Sequence, residues 1–313
     1  FCYAEVGLGT NKRYLVNPVL FKISSKIKFG LISNFNNYGQ RLSYNELAQI
    51  KGEQYMSAEN GSINSGITTI NEFSSSRYLR NNLFNTQLQI NSRINKKINS
   101  KTDFSFIADK QKQNISDSSS IFSDNEFLFS NSAHYSVLKP TLFKISEHFD
   151  IDLTKKSVLQ VSFSVIKDIV LQTESEQVLQ KKLFYESQSK IKNNWLSFSG
   201  KLNYTKRISI NKAFQFKAEY GHFNFPQEIL AIYSNWQKLF NLPDTAYKNF
   251  NQYYLNKYDL IKTNTSFFVK TKKRLINYNL IAEYKRVQLN TSLSFNTEKN
   301  NLVEVAYCLR VAQ

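Results

Sequence analysis

The chain has 313 residues, a formal net charge of +17 and a negative mean hydropathy of -0.43. No apolar run approaches the roughly 18 residues that a membrane helix requires, and this excludes a helical membrane protein. A membrane β-barrel remains open, because polar lumen residues that alternate with lipid-facing ones lower the average hydropathy. The 25 Phe and 18 Tyr, against only 9 Gly and 4 Pro, favour strands.

The positive charge suggests a polyanionic partner. The lysines are spread along the chain and gather at predicted turns, and no recognition-helix pattern, RNA-binding aromatic motif or zinc-finger spacing is present. We therefore expect no nucleic-acid partner. A negatively charged surface of outer-membrane lipid and lipopolysaccharide would attract such a protein equally well.

The predicted elements are strands. A first short strand at 1–6 ends at a Gly-rich turn, and Pro18 predicts an edge or bulge position within the second strand. The strands after the first are 14–23, 27–35, 84–94, 102–108, 135–153, 159–165, 196–205, 214–222, 258–269 and 276–284.

The hairpin at 196–222 shows the pattern most clearly. Leu196, Phe198 and Leu202 alternate with polar residues such as Ser197 and Asn203. Successive side chains of a strand point to opposite faces, so each arm has one apolar and one polar face. Each arm has about nine or ten residues, roughly the length that a tilted strand needs to cross a bilayer.

Two kinds of connection alternate along the chain. The short ones are basic, and the long ones are polar and Ser-rich: 24–26, 95–99, 154–156, 206–212 and 271–274 against 38–81, 110–132, 171–189 and 225–255. Outer-membrane barrels have short periplasmic turns and long external loops. We therefore predict an all-β fold, an antiparallel up-and-down transmembrane β-barrel of about 10–12 strands that belong to a larger barrel. The whole of 1–313 is then one partial barrel domain with no second domain.

The connection 225–255 has a different character. Pro226 opens a run of apolar residues at helical spacing that ends before Pro243, comprising Ile229, Ile232, Tyr233, Trp236, Leu239 and Phe240. This run predicts a short amphipathic helix over the barrel mouth. Either its apolar stripe is simply buried, or Tyr233 and Trp236 form part of an external ligand-binding surface. Three further tyrosines are candidates for an aromatic girdle at the bilayer interface, namely Tyr247, Tyr253 and Tyr254.

No residue pattern indicates catalysis or a metal site. His134, His148 and His222 are far apart and lack ligand spacing, and His222 lies on the apolar parity of its strand, where an interfacial aromatic would sit. Asp150 and Asp152 predict a solvated or lumen-facing pair rather than an acid/base pair. Since no nucleophile elbow or catalytic triad can be assigned, we expect no enzyme, no cofactor and no metal.

The ends of the chain suggest a fragment or a processed piece. Cys2 and Cys308 lie near opposite ends, and we expect isolated thiols rather than a disulfide. Met56 is the only methionine in the sequence, and the first six residues already read as a strand with no signal peptide before it.

Several segments resemble one family of membrane proteins. These are Tyr3–Tyr14 (YAEVGLGTNKRY), 30–37 (GLISNFNN), 203–205 with the strand at 214–220, and 284–295 (YKRVQLNTSLSF). They look like hairpins of TonB-dependent-receptor-like outer-membrane β-barrel proteins, of the kind that carry a carboxypeptidase-regulatory-like domain before the plug.

The resemblance implies energised uptake, in which a ligand binds outside and an inner-membrane TonB-type complex acts on a plug domain. This chain would then supply the barrel wall of a receptor for a nutrient or a metal chelate in a Gram-negative-type cell outer membrane. Nothing in it resembles the plug, and the family's barrels have about 22 strands, which reinforces the fragment interpretation. Iron chelates, cobalamin, glycans and peptides all remain open as ligands.

Two alternatives come from other functional classes. One is a non-transporting outer-membrane barrel that anchors adhesive surface loops. The other is a soluble basic β-domain, whose binding to polyanions would weaken steeply with salt.

Overall fold

A computed structural model describes residues 1–38, 80–123, 126–180, 183–233, 247–271, 274–297 and 302–312. These residues form one antiparallel sheet. The strands are β1 (Cys2–Gly9), β2 (Arg13–Ile23), β3 (Ile27–Asn36), β4 (Leu83–Arg93), β5 (Ile98–Ala108), β6 (Gln111–Ser123), β7 (Glu126–Thr154), β8 (Ser157–Gln180), β9 (Leu183–Ser209), β10 (Lys212–Tyr233), β11 (Tyr247–Lys270), β12 (Leu275–Thr297) and β13 (Leu302–Ala312). The described part contains no helix with the length and hydropathy to cross a bilayer.

The sheet has up-and-down topology. Neighbours in sequence are neighbours in the sheet from β1 to β13, except that β5 and β6 both pair with β7. They pair with it in a single register, and the break between them falls where Pro140 of β7 lies opposite Asp109. Proline has no N–H to donate, so the ladder skips one step and β5–β6 is in effect one strand. The path therefore has twelve strands, which confirms the predicted fold class and strand number.

The sheet is open at both sides within the described residues, where no pairing joins β1 to β13. Its two ends differ. At the turn end, brief connections follow β2, β4, β7, β9 and β11, and the predicted basic turns at 24–26, 95–99, 154–156 and 206–212 are found there. Of the fifth predicted turn, 271–274, only the first and last residues are among the described ones. The opposite end, called the loop end below, is the end at which β1 joins β2 and at which β3, β6, β8, β10 and β12 finish.

Several strands are much longer than the sequence pattern predicts. The predicted loops at 110–132 and 171–189 are wrong, since β6, β7, β8 and β9 pair through most of both segments. Backbone pairing needs no apolar side chain, and the ladders that start at the turn end continue in the same register, with a break only beside Pro140 between β5 and β6. The predicted loop at 38–81 lies almost entirely outside the described residues.

The predicted helix after Pro226 is also wrong where the structure describes it. Residues 226–233 continue β10, with Pro226 opposite Leu255 and Ile229 between Ile191 and Gln252. The apolar spacing that suggests a helix arises because both faces of β10 carry apolar residues here. The ladder to β9 is interrupted beside Pro226, which has no N–H to pair.

Pro18 occupies an interior position. It pairs with Ala4 of β1, and the ladder to β3 is missing only between Val16 and Val19, without a shift of register. The predicted edge or bulge position is therefore wrong. The absent N–H of proline removes pairing on one side, and the strand continues past it.

One face of the sheet buries side chains and the other exposes them. In β9, Asn193, Trp195, Ser197 and Ser199 are buried, whereas Phe198 on the opposite parity is 39% exposed. The described strands form no second layer, so a face can bury side chains only by curling around them. We call this face the concave face and the other the outer face.

Candidate functional site

The outer face near the turn end is apolar. In β9–β12 it carries uncharged residues apart from Lys206 and Lys212 beside the turn. Most of them are aromatic or aliphatic, among them Leu202, Phe198, Phe214, Phe216, Tyr220, Phe267, Ile261, Tyr278, Leu280 and Tyr284. Aromatic contacts continue this surface across β3–β5, where the rings of Phe35 and Phe84 lie 4.7 Å apart and those of Phe84 and Phe106 lie 5.6 Å apart. Glu147 is an acidic exception, and its carboxylate accepts hydrogen bonds from Ser100, at 2.5 Å, and from Thr102.

The concave face at the same height is polar and charged. Its ion pairs join neighbouring strands or residues two apart in one strand: Lys101–Asp103 at 3.4 Å, Lys201–Glu219 at 4.0 Å, Lys262–Glu283 at 3.2 Å and Lys285–Glu283 at 2.7 Å. Amide side chains connect further strands, as where Asn203 donates to Gln160 and Gln215 donates to Asn203. A charged network of this kind requires water on that side.

The polarity of the two faces reverses at one row of residues in β10–β12. His222, Asp259 and Arg286 lie side by side on the outer face, and Nδ1 of His222 is 2.6 Å from Oδ1 of Asp259. Beyond this row the outer face of β9–β12 is largely polar, with residues such as Asn194, Lys192, Asn224, Glu228, Lys257 and Gln288. We call the part of the sheet towards the turn end the turn-side zone and the part beyond the row the loop-side zone.

The concave face becomes apolar where the outer face becomes polar. One residue from each of β4, β5, β7, β8, β9 and β10 forms a buried cluster, here called the belt: Leu83, Ile107, Leu142, Ile166, Trp195 and Phe223. Phe225 and Tyr258 pack against it, and the rings of Phe223 and Tyr258 lie 5.5 Å apart. The belt therefore crosses the concave face directly above the charged network.

Amide side chains with unused acceptors stand just beyond the belt. Gln111, Gln172 and Gln227 are all buried, and each donates its amide N–H to a neighbour, namely Asp109, Glu174 and Asn193. In each case the side-chain oxygen has no hydrogen-bond partner among the described residues. A buried acceptor without a donor is costly, so these oxygens suit water or a ligand that carries O–H or N–H groups.

Asp109 is a buried carboxylate beside the belt, in the loop-side zone. Burial raises the pKa of Asp109, and hydrogen bonds from Gln111 and from the backbone N–H groups of Lys110 and Asn82 oppose that shift. The distances are 2.9 Å from Gln111, 2.7 Å from Lys110 and 3.1 Å from Asn82.

The two residues predicted to bind ligand are not tested by the described geometry. Tyr233 is the last residue of β10, opposite Ser187, and its side chain lies outside the described part. Trp236 lies outside the described residues altogether. The predicted place in an aromatic girdle is wrong for Tyr254, because this side chain is buried on the concave face opposite Gln227.

The histidines and the aspartate pair fall on different surfaces. His222 lies on the outer face at the polarity reversal, the face that its parity predicts. His148 and Asp150 lie on the concave face, 3.2 Å apart, and Gln160 donates to Asp150 at 2.8 Å. Within the described residues no group of three His, Cys, Asp or Glu side chains is placed to hold a metal ion.

Sequence reasoning missed the belt. Trp195 and Phe223 lie on the parity that carries polar residues in the turn-side parts of their strands, and a fixed alternation assigns them to no site. A signal does exist, because the apolar residues of β10 change parity between Tyr220 and Phe223. A change of parity within one continuous strand indicates that the environment of each face changes there.

Comparisons with known proteins add little. No family model matches the chain, and no curated protein matches it. Among solved structures, the "CymD monoaromatic hydrocarbon channel" is similar over 100% of this chain and 81% of that chain, with 10% sequence identity and a TM-score of 0.30. A TM-score of this size carries no argument about function.

Proposed function

We propose that this chain forms the wall of a transport-type β-barrel in an outer membrane, with the turn-side zone in the bilayer and the loop-side zone outside the cell. One observation carries the proposal, namely the reversal of polarity on both faces of β10–β12 at the row of His222, Asp259 and Arg286. A sheet with water on its outer face throughout would have no reason to reverse. A lipid layer of limited thickness requires an apolar outer face at one height only.

The length of the apolar band supports this placement. In β10 it extends from Lys212 to Gly221, ten residues that end beside His222. A tilted transmembrane strand needs about 9–11 residues. Every backbone group inside lipid must also be paired within the sheet, and the turn-side ladders from β7 to β12 are continuous apart from shifts beside the turns.

The concave face would then line the lumen. A solute entering from outside meets the belt and the free amide oxygens first, and the charged network afterwards. The belt and the amide oxygens suit an amphipathic solute with an apolar body and hydroxyl or amine donors. The charged network suits water and charged groups.

Within this class we propose a TonB-dependent-type receptor for a nutrient or metal chelate, energised through a plug domain. The support is the resemblance of the segments around Tyr3–Tyr14 and 284–295. The loop-side zone suits such a receptor, because its strands extend well beyond bilayer height and enclose the belt.

Uptake by living cells tests the function. Cells that lack the gene are compared with wild-type cells for depletion of a panel of iron chelates, cobalamin, glycans and peptides, with and without a protonophore. We expect one class to be taken up only when the gene and the proton gradient are both present. Gene-dependent uptake that persists with the protonophore would retain the barrel and reject the energised mechanism.

A non-transporting anchor is the second candidate function. The observation in its favour is the height of the hairpins β6–β7 and β8–β9, which rise far beyond the bilayer and present polar side chains. An anchor predicts loss of surface adhesion on gene deletion with no change in uptake of any solute. Recovery of the protein as a soluble species without detergent would reject both membrane functions.

A further inference from the structure

A cavity of about 620 Å³ lies at the loop end of β3 and β4, and the described residues that line it are all cations and amides. Its lining residues are Asn11, Arg13, Asn37, Arg80, Asn81, Asn82, Lys110 and Lys112. None of its four cations forms an ion pair with a carboxylate of the described residues. Asp109 is buried on the concave side and does not line the cavity.

The backbone holds this cavity in a fixed shape. Arg80 and Lys112 exchange two backbone hydrogen bonds, of 3.0 and 2.7 Å, and the N–H of Asn82 donates to the carbonyl of Lys110 at 3.2 Å. The cations therefore project from paired backbone and not from a free loop.

The β1–β2 turn closes the other side. Asn11 and Lys12 both have positive φ, 60° and 59°, as a type I′ hairpin turn requires. Asn37 fastens this turn to the end of β3, because its side chain accepts from the N–H of Tyr14 at 2.7 Å and donates to the carbonyl of Lys12 at 2.9 Å. Arg13 follows this turn directly, so its backbone is placed at the cavity.

The position of the cavity relative to the apolar band of the outer face indicates which kind of ligand it would meet. Asn37, Asn82 and Lys110 each lie two residues beyond Phe35, Phe84 and Ala108, which form one row at the top of the apolar outer face of β3–β5. Arg80 and Lys112 lie two residues further in the same direction. Two residues along a strand cover roughly 6.6 Å. If that band lies in lipid, the cations stand at the level of the lipid headgroups.

We propose that this cavity binds a phosphate group on the headgroup of an outer-leaflet glycolipid. Arginine and lysine form short charge-assisted hydrogen bonds to phosphate, and the Asn amides supply further N–H donors for the sugar oxygens beside it. The inference rests on the proposed membrane placement, since a free polar sheet would offer the same cations only to dissolved anions.

Binding of lipid A tests the site in the full-length gene product, extracted in neutral detergent and reconstituted in phosphatidylcholine nanodiscs. The triple variant Arg80→Gln, Lys110→Gln, Lys112→Gln is compared with Lys96→Gln, Lys155→Gln, Lys156→Gln, which removes the same charge at the turn end. Loss of one charge-assisted contact weakens binding by about tenfold. We therefore expect at least this loss for bisphosphorylated lipid A in the first variant and none in the control.

Three outcomes would overturn the proposal. Equal loss in both triple variants would indicate unspecific attraction by net charge. Equal binding of dephosphorylated lipid A would remove phosphate as the recognised group, and displacement by inorganic phosphate at equal concentration would indicate a site for free phosphate. Failure of the wild-type protein to enter nanodiscs rejects the membrane placement itself, whereas insertion without lipid A binding rejects this site alone.

Discussion

Asp109 is a carboxylate on which burial and hydrogen bonding act in opposite directions, and burial prevails, so its folded pKa lies above the ordinary 3.8. The unfolded chain therefore loses this proton first, and the contribution of Asp109 to stability falls as pH rises through the folded pKa. Asp109→Asn abolishes the titration. Gln111 can turn its unpaired Oε1 towards the new amide, so the hydrogen bonds remain satisfied.

We therefore expect Asp109→Asn to be more stable than wild type at pH 7 and to lose that advantage near pH 3, where the carboxyl is protonated. Urea unfolding in detergent micelles at both pH values measures the difference. Asp117→Asn, at an exposed carboxylate in the same strand pair, is the control. If the wild type instead gained stability relative to Asp109→Asn as pH rises, the predicted direction of the pH dependence would be contradicted.

Phe163 tests whether the outer face meets lipid. It lies in β8 in the middle of the turn-side zone and is 39% exposed. Glu147 lies directly opposite Phe163, so the substitution is made in a Glu147→Gln background, which leaves the new guanidinium without a cross-strand carboxylate. In this background Phe163→Arg should cost about 2–4 kcal/mol if the position lies near the bilayer midplane, whereas an exposed surface substitution in water changes stability by roughly 0.5 kcal/mol or less. Unfolding in phosphatidylcholine vesicles gives the free energy.

The matched control is Gln160→Arg, which places the same side chain on the concave face of the same strand, beside Asp150. It is expected to be close to neutral because its guanidinium meets water and a carboxylate. Equal effects at the two positions would show that both faces have the same solvent.

Cysteine scanning along the whole of β10 should distinguish the turn-side zone from the loop-side zone in one experiment. Each position is replaced by Cys in a background in which Cys2 and Cys308 are Ser, and a membrane-impermeant maleimide is added to protein in vesicles. In the turn-side zone we expect reaction at the concave positions and protection at the outer ones. The reactive positions are then Ala213, Gln215, Lys217 and Glu219, and the protected ones are Phe214, Phe216, Ala218 and Tyr220.

Beyond His222 the pattern of reactivity should invert. Asn224 and Glu228 on the outer face should react, whereas Phe223 and Phe225 are shielded by the belt. If the same alternate positions reacted along the whole of β10, with no change at His222, the division into two zones would be contradicted.

At the level of elements, alternation predicts much of this fold. It identifies the turn-side strands, the basic turns and the polar and apolar parities of β9–β12, because residues of opposite polarity occupy the two faces there. It fails where residues of one polarity occupy both faces. In 171–189 polar residues occupy both parities and mimic a loop, and around Ile229 and Ile232 apolar residues occupy both parities and mimic a helix.

The candidate site depends on contacts that alternation does not encode. Residues of the belt come from six strands that are distant in sequence, from Leu83 to Phe223. The cationic cavity likewise joins Arg13 to Lys112 across the register of four strands. Register follows from the accumulated pairing of the whole sheet, and no local spacing in the sequence reveals it.

At the scale of the molecule, the proposed membrane placement gives the two zones different solvents and therefore different requirements. Under this proposal the turn-side zone depends on lipid outside and on charge pairs inside. The loop-side zone has the polar exterior and apolar interior of an ordinary soluble sheet. In the turn-side zone every interior strand is paired on both sides without help from the loop-side zone. Part of the loop-side zone should therefore be removable without loss of membrane insertion.

The hairpin β8–β9 is the sharpest place to test this independence. Thr173 and Lys190 lie directly opposite each other, so replacing residues 174–189 by Asn-Gly closes the strands with a two-residue turn and keeps their register. We expect the shortened protein to insert and to show heat-modifiable migration on gels, because its turn-side ladders are unchanged. Solute uptake should fall, since Gln172 and Ile191 lose the strands that cover them.

The contrasting variant removes residues 160–163 together with 200–203, which are paired with one another in the same two strands. Parity is preserved, but the apolar band becomes four residues shorter than the roughly 9–11 that a bilayer crossing needs, and the pairing to β7 and β10 is displaced. This variant should fail to insert. If the two deletions had equal effects on insertion, the turn-side zone would have no special relation to the membrane, and the outer face would need another explanation for its apolar band.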